Sequence, residues 1–249
     1  MKKRFLCSLF AAASFASQAS VVEMQTSQGT IKIDLFDQQT PKTVANFLSY
    51  VESEAYNQTV IHRSIENFII QGGGFKFTDD FEAVETSPAV ANEPVLSNVK
   101  GTVAMAKLGN NANSATSQWF FNLKDNSANL DVQNGGFTVF GQIREDSYAV
   151  LDKISGLVHC GPAKAPYPVV NITKEQCANA DTTLTIANLV AINSVVVLDD
   201  DPNSSVNLSP KENTLINDPT QPDASDSSSG SMSWLLPLLL LGFKRRRVA

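Results

Sequence analysis

Between residues 21 and 198 the apolar residues come in short runs rich in β-branched and aromatic side chains, and that spacing excludes most folds. Val21 to Gln25 and Thr30 to Phe36 flank a Ser27-Gln28-Gly29 turn, and Ile31, Ile33 and Leu35 alternate with Lys32 and Asp34. Alternation at period two beside a glycine turn predicts a hairpin with one buried face. Val60 to His62, Phe68 to Gln71, Gly101 to Ala106, Gln118 to Leu123 and Phe137 to Gly141 read as further strands, and Thr182 to Leu198 as a last long one. Only two stretches carry helical spacing. One starts with Thr40 as N-cap and Pro41 at the first helical position, and puts Val44, Phe47, Leu48 and Val51 on one face. The other covers Ser147 to Ile154, where Val150, Leu151 and Ile154 cluster. Many short strands with two separated helices predict a mainly β domain, a closed antiparallel barrel rather than βαβ units.

Both ends fall outside this pattern. Lys2, Lys3 and Arg4, an apolar stretch from Phe5 to Phe15, and Ser17-Gln18-Ala19 make a secretory signal, with the mature chain expected to start near Ser20. The apolar stretch is shorter than the ~20 residues that span a bilayer. From Asp199-Asp200-Asp201 to Gly230 the chain is polar and acidic, with too little apolar surface to fold alone, so residues 199–230 are expected to be a disordered linker. Met232 to Phe243 is apolar again, and Lys244-Arg245-Arg246-Arg247 follows. This arrangement in residues 231–249 resembles the rhombosortase-type tails that rhomboid-type proteases process in bacteria. A simple C-terminal membrane anchor with its positive charge inside is the alternative. The expected division is therefore 1–19, 20–198, 199–230 and 231–249.

Without the two ends, seven of the 19 basic residues are lost and none of the 25 acidic ones. The 12 that remain give a formal charge of −13. A body this acidic repels polyanions, which argues against a nucleic-acid partner. Cys160 and Cys177 are then the only cysteines, and in an oxidising compartment they are expected to pair, closing a loop of about 18 residues for about 3 kcal/mol. A metal site using the neighbouring His159 is the alternative, but three ligands without a fourth at a recognised spacing make a poor zinc site.

Residues 61–75 read Ile-His-Arg-Ser-Ile-Glu-Asn-Phe-Ile-Ile-Gln-Gly-Gly-Gly-Phe. The segment sets Arg63 ahead of an apolar run, a primary amide and three glycines, and resembles the signature of cyclophilin-type peptidyl-prolyl isomerases. Thr102-Val103-Ala104-Met105-Ala106, Thr116-Ser117-Gln118-Trp119-Phe120-Phe121-Asn122, Leu130-Asp131 and Phe137-Thr138-Val139-Phe140-Gly141 continue the resemblance, as does Val44-Ala45-Asn46-Phe47. It covers about residues 21–197. It implies an eight-stranded barrel with a helix over each open end, and a reaction that needs no metal, nucleophile or cofactor.

Rotation about an X–Pro bond faces a barrier near 20 kcal/mol set by amide resonance. Twisting localises a lone pair on the prolyl nitrogen, so a donor aimed there lowers the barrier selectively. By the resemblance, Arg63 is that catalytic donor, with its permanently charged fork. Phe68, Ile69, Phe120 and Leu130 correspond to the proline pocket, although on pattern alone they would be core residues. Gln71 is expected to bond the substrate backbone and steady Arg63. Ala106 is a small wall beside the residues preceding proline, and Lys107 follows it in place of a small polar residue, a change expected to alter selectivity. Two rim positions depart from many eukaryotic members: Asn129 stands where they carry tryptophan and Phe137 where they carry histidine. The loss of the indole implies weak cyclosporin binding.

Other constellations carry less. Gly72-Gly73-Gly74 lacks the Gly-Lys-Ser/Thr ending of a phosphate loop and is read as permitting a tight turn beside the pocket. His62 should face away from Arg63 and be structural, and Ser64 and Ser117 have no visible His–Asp partnership. The expected activity is a peptidyl-prolyl cis–trans isomerase for exported, proline-containing polypeptides. It would work in the periplasm or envelope of a Gram-negative-type bacterium and meet the export machinery on the way. A proline-segment binding module or chaperone with little turnover is the rival.

Overall fold

The computed structural model describes residues 20–198 and 208–217, so the expected signal peptide and C-terminal sorting segment lie outside the described residues. The first hairpin forms as its alternation requires. β1 (Val21–Thr26) pairs antiparallel with β2 (Gly29–Leu35), Met24 opposite Ile31 and Val22 opposite Ile33. These four side chains are fully buried. Gly29 has φ +141°, and a Cβ there would strike Val150, so the turn tolerates only glycine.

Helix α1 (Pro41–Glu52) buries Thr43, Val44, Phe47, Tyr50 and Val51, with Leu48 partly covered. Thr40 sits at the N-cap without capping, because its hydroxyl donates to the Phe36 carbonyl instead, 3.3 Å away. The exposed amides are met by Glu93, fifty residues on, whose carboxylate accepts from Lys42 N (3.3 Å), Thr43 N (2.9 Å) and the Thr43 hydroxyl (2.8 Å). An acidic group at a helix N-terminus satisfies orphan donors and complements the dipole.

The chain then runs through β3 (Thr59–Val60), β4 (Arg63–Ile65), β5 (Ile69–Gly72), β6 (Phe75–Phe77), β7 (Phe81–Ala83), β8 (Thr102–Met105) and β9 (Trp119–Asn122). After α2 (Ser127–Leu130) come β10 (Val139–Ile143), α3 (Tyr148–Ser155), β11 (Val158–Cys160), β12 (Tyr167–Val169), α4 (Lys174–Ala178) and β13 (Ala191–Leu198). Eleven strands form one sheet in the order β4-β5-β9-β8-β10-β2-β1-β13-β3-β6-β7, while β11 and β12 make a separate hairpin. β3 and β4 stand far apart in that order yet only Ile61 and His62 separate them in the chain, so the sheet must curl back on itself. No ladder joins β4 to β7. The fold is a curled, open half-barrel, which corrects the expected closed eight-stranded barrel capped by two helices.

The mismatch has local causes. The run at Val60 to His62 splits because Ile61 donates to Val190 O on one side and His62 to Gln71 O on the other, so the chain switches partners at that point. Thr182 to Leu198 is not one strand; it holds a 3₁₀ turn, Ile186–Asn188, and only its last eight residues pair. Residues 208–217, inside the stretch expected to be disordered, instead lie against the body, with Glu212 bridging Leu96. No helix among the described residues is long and apolar enough to cross a membrane.

Candidate active site

Antiparallel pairing builds the site row by row. Arg63 on β4 is opposite Gln71 on β5, Gln71 is opposite Phe120 on β9, Phe120 opposite Ala104 on β8, and Ala104 opposite Val139 on β10. Directly opposed residues share a face, so this row and its neighbour Ile65–Ile69–Asn122 point the same way. The alternate row, Ile70, Phe121 and Val103, enters the main core under α1. A single sheet thus carries a packing core on one side and a second apolar cluster on the other.

That second cluster gathers Ile69, Ala104, Ala106, Phe120, Leu130, Phe137 and Val139, with Phe36 and Leu96, and Phe68 packs against it. Phe120 and Phe137 meet edge to face at 5.8 Å. Leu130 comes from the one-turn helix α2, and Phe137 is tied to it by its N–H to the Leu130 carbonyl (2.8 Å). Of the sequence-selected residues, the structure brings together Phe68, Ile69, Ala106, Phe120, Leu130 and Phe137 here, while Asn129 lies exposed on α2.

Arg63 is buried, and its Nη1 donates to Gln71 Oε1 at 2.9 Å while Nε donates to the Lys164 carbonyl at 3.3 Å. Gln71 passes the polarity on, its Nε2 donating to Gln118 Oε1 at 2.8 Å. Burial lowers the Arg63 pKa to about 10, which leaves the guanidinium charged at neutral pH. His62 is also buried, but its ring packs edge to face on Phe75 at 4.9 Å. Burial first, then the charge of Arg63, lowers its pKa to about 4, so it is a neutral ring at physiological pH.

Lys107 is buried rather than displayed. Its Nζ donates to the carbonyls of Asn134 (2.9 Å) and Gly136 (2.6 Å) and lies 4.8 Å from the centre of the Phe137 ring. Burial lowers its pKa to about 7. As amine or ammonium, Nζ holds the loop ahead of Phe137 through those two carbonyls. Gly73 has φ +77°, and a Cβ there would meet the Ser117 carbonyl, which accounts for the glycine run beside the site.

Four contributors were not foreseen from sequence. Gln118 relays the Gln71 amide and is foreshadowed only by lying in the same apolar-polar run as Phe120. Lys164 and Pro166 act through backbone carbonyls, the latter accepting the Ser64 N–H at 2.8 Å, and a carbonyl leaves no trace in residue type. Their loop joins β11 to β12, and the Cys160–Cys177 disulfide, with its Cα atoms 5.2 Å apart, ties that hairpin to α4. Asn98 is the fourth: buried, it donates from Nδ2 to the Phe137 carbonyl and to Asp131 Oδ1, both at 3.0 Å.

Comparison with known proteins matches this frame. The family model described as cyclophilin type peptidyl-prolyl cis-trans isomerase/CLD fits residues 21–176. A peptidyl-prolyl cis-trans isomerase of Acinetobacter baylyi is 37% identical over 162 residues, which is 61% of this chain and 84% of that protein. Peptidyl-prolyl cis-trans isomerase A of Dickeya dadantii is 40% identical over 167 residues, 62% of this chain and 85% of that one. In fold, the chain is similar to a cyclophilin type isomerase of Cryptosporidium parvum solved in the presence of the dipeptide Ala-Pro. That match has TM-score 0.51 and 23% identity, and covers 72% of this chain and 98% of the other.

Proposed function

Since the chain belongs to the cyclophilin-type peptidyl-prolyl cis-trans isomerase family and is an enzyme of that activity, we propose that Arg63 is its catalytic residue and the second apolar cluster its proline pocket. The observation that carries this reading is the cross-strand pair Arg63–Gln71, a charged fork held on the same sheet face as Ile69 and Phe120. The Gln71 and Lys164 oxygens fix the guanidinium in orientation without neutralising it. A cation so held beside apolar walls is a preorganised donor. It interacts more strongly with the lone pair of a twisted prolyl nitrogen than with the planar amide, and lowers the barrier by the difference.

Phe68, Ile69, Phe120, Leu130 and Phe137 bury the proline ring at about 25 cal/mol per Å², and Ala106 leaves room for the extended residues before it. Lys107 shapes selectivity indirectly, through the loop that carries Phe137, and Asn129 lies at the rim. Exchange spectroscopy on an X–Pro peptide tests the assignment. Arg63→Ala is expected to lower the catalysed exchange rate about 10²–10³-fold, the usual cost of removing one transition-state donor. A variant that keeps wild-type exchange would remove Arg63 from the mechanism.

The composition of the two ends and the disulfide support a reading of location and partners. The enzyme acts on proline-containing segments of exported proteins in a periplasmic or envelope compartment. Its N-terminal signal is removed by the export machinery, and its C-terminal segment is processed by a protease or serves as an anchor. The disulfide supports an oxidising compartment. Intact-mass measurement on protein from its native cells identifies which ends are removed. With Asn129 and Phe137 at the rim, cyclosporin binds weakly; submicromolar inhibition of the purified enzyme would contradict this.

A further inference from the structure

Beyond β13 the chain returns to its own body. Lys211 O accepts the Ser97 N–H at 2.8 Å, the Asn213 N–H donates to Val95 O at 2.9 Å, and Glu212 forms an antiparallel bridge with Leu96. The buried Asn213 amide uses all its capacity. Its Nδ2 donates to the carbonyls of Asp131 (2.9 Å) and Pro94 (3.1 Å), and its Oδ1 accepts from Leu215 N (3.0 Å) and Ile216 N (3.1 Å). Leu208 packs on the cluster that contains Ile69, Phe120, Leu130 and Phe137.

The residues Asn213 grips lie directly behind the pocket. The Asp131 carboxylate is buried and accepts from the Ser97 hydroxyl (2.6 Å), the Asn98 N–H (2.7 Å) and Asn98 Nδ2 (3.0 Å). Asn98 Nδ2 also holds the Phe137 carbonyl, and Phe137 N–H holds that of Leu130. Leu130 and Phe137 therefore hang on an Asp131–Asn98 network whose two outer ends, the Asp131 carbonyl and the Ser97 amide, are both bonded to residues 208–217. We infer that residues 208–217 are a strap that positions the pocket wall, with Asn213 as its positioning residue. The segment lies beyond the family match, which ends at residue 176. The inference rests on the reading of Leu130 and Phe137 as pocket wall.

Asn213→Asp in the full chain keeps the Oδ1 that accepts from Leu215 and Ile216, but replaces the donor to Asp131 and Pro94 with a repelling oxygen. The expected result is a rise in KM of about five- to tenfold for an X–Pro peptide, with kcat within about twofold because Arg63 sits on other strands. Amide resonances of Leu130 and Phe137 shift, and a synthetic peptide of residues 208–217 added in trans lowers KM again, whereas the peptide carrying Asp at that position does not. If Asn213→Asp fails to fold, Leu208→Ala, which only trims the apolar anchor, carries the same readouts. Unchanged KM and unchanged amide shifts would overturn the strap. Shifted Leu130 and Phe137 amides with an unchanged KM would fail the reading of those two residues as pocket wall, whereas unshifted amides with an unchanged KM fail the strap alone.

Discussion

His62 and Arg63 are neighbours, and burial lowers the pKa of both with different consequences. The arginine keeps its proton across the physiological range, while the histidine, beside that charge and packed on Phe75, is held neutral down to about pH 4. The sign follows from linkage. Between pH 6.5 and 4 the unfolded chain binds a proton at His62 that the folded chain refuses, so stability falls as pH falls through that window and is unaffected by this group above it. The loss is on the order of 3 kcal/mol. His62→Phe is expected to remove that part of the acid sensitivity, as read from denaturant midpoints at pH 7, 5.5 and 4. Equal pH slopes in the two proteins would refute it. At this scale the grouping of the proposed site residues was legible, because Arg63, Gln71 and Phe120 sit inside motifs that pair in one cross-strand register. Lys107 was not: residue type says that a lysine is costly to bury, and only the loop carbonyls of Asn134 and Gly136 explain where its ammonium goes.

Elements were legible where one face meets the core and another meets water. The β1–β2 hairpin, α1 and α3 follow from their periodicity almost to the residue. The two- and three-residue strands β3, β6, β7, β11 and β12 are too short to establish a period, and their partners are supplied by tertiary packing. The β11–β12 hairpin shows what such an element can do, since its connecting loop presents the Lys164 and Pro166 carbonyls to Arg63 and Ser64. The disulfide fastens it to α4 across 17 residues of sequence. Replacing Cys160 and Cys177 by serine is expected to cost about 3 kcal/mol of unfolding free energy. It should also reduce kcat several-fold, because the Arg63 fork loses a fixed oxygen. Denaturation curves and X–Pro exchange on the double variant check both. Wild-type kcat at a temperature where the variant is fully folded would show that the hairpin does not orient Arg63.

In the whole molecule, the sheet explains why the matched family region is not the folding unit. The match stops at residue 176, yet β13, residues 191–198, lies between β1 and β3 and pairs with both. A chain ending at residue 190 would leave the edge of β1 open and uncover Met24 and Val22. It is expected to be insoluble, or to show no cooperative melt by circular dichroism; a soluble, cooperatively melting product would contradict this. The order of strands was the least legible property of all. Period and turn residues mark where strands are, whereas their neighbours depend on contacts between distant parts of the chain, and the partner switch at Ile61 and His62 opened what would otherwise read as a barrel.

The pairing of the first strand with the last also sets a clock. Val21 lies opposite Leu198, so the ladder that completes the sheet closes across almost the whole domain, a separation that makes assembly slow and late. Two residues separate Arg63 from β3, which that last strand also holds. A chain made N-terminus first therefore has residues 61–75 in hand long before the strand that completes the sheet around them. The ladder that holds β1 and β3 together can close only once residues 191–198 are available.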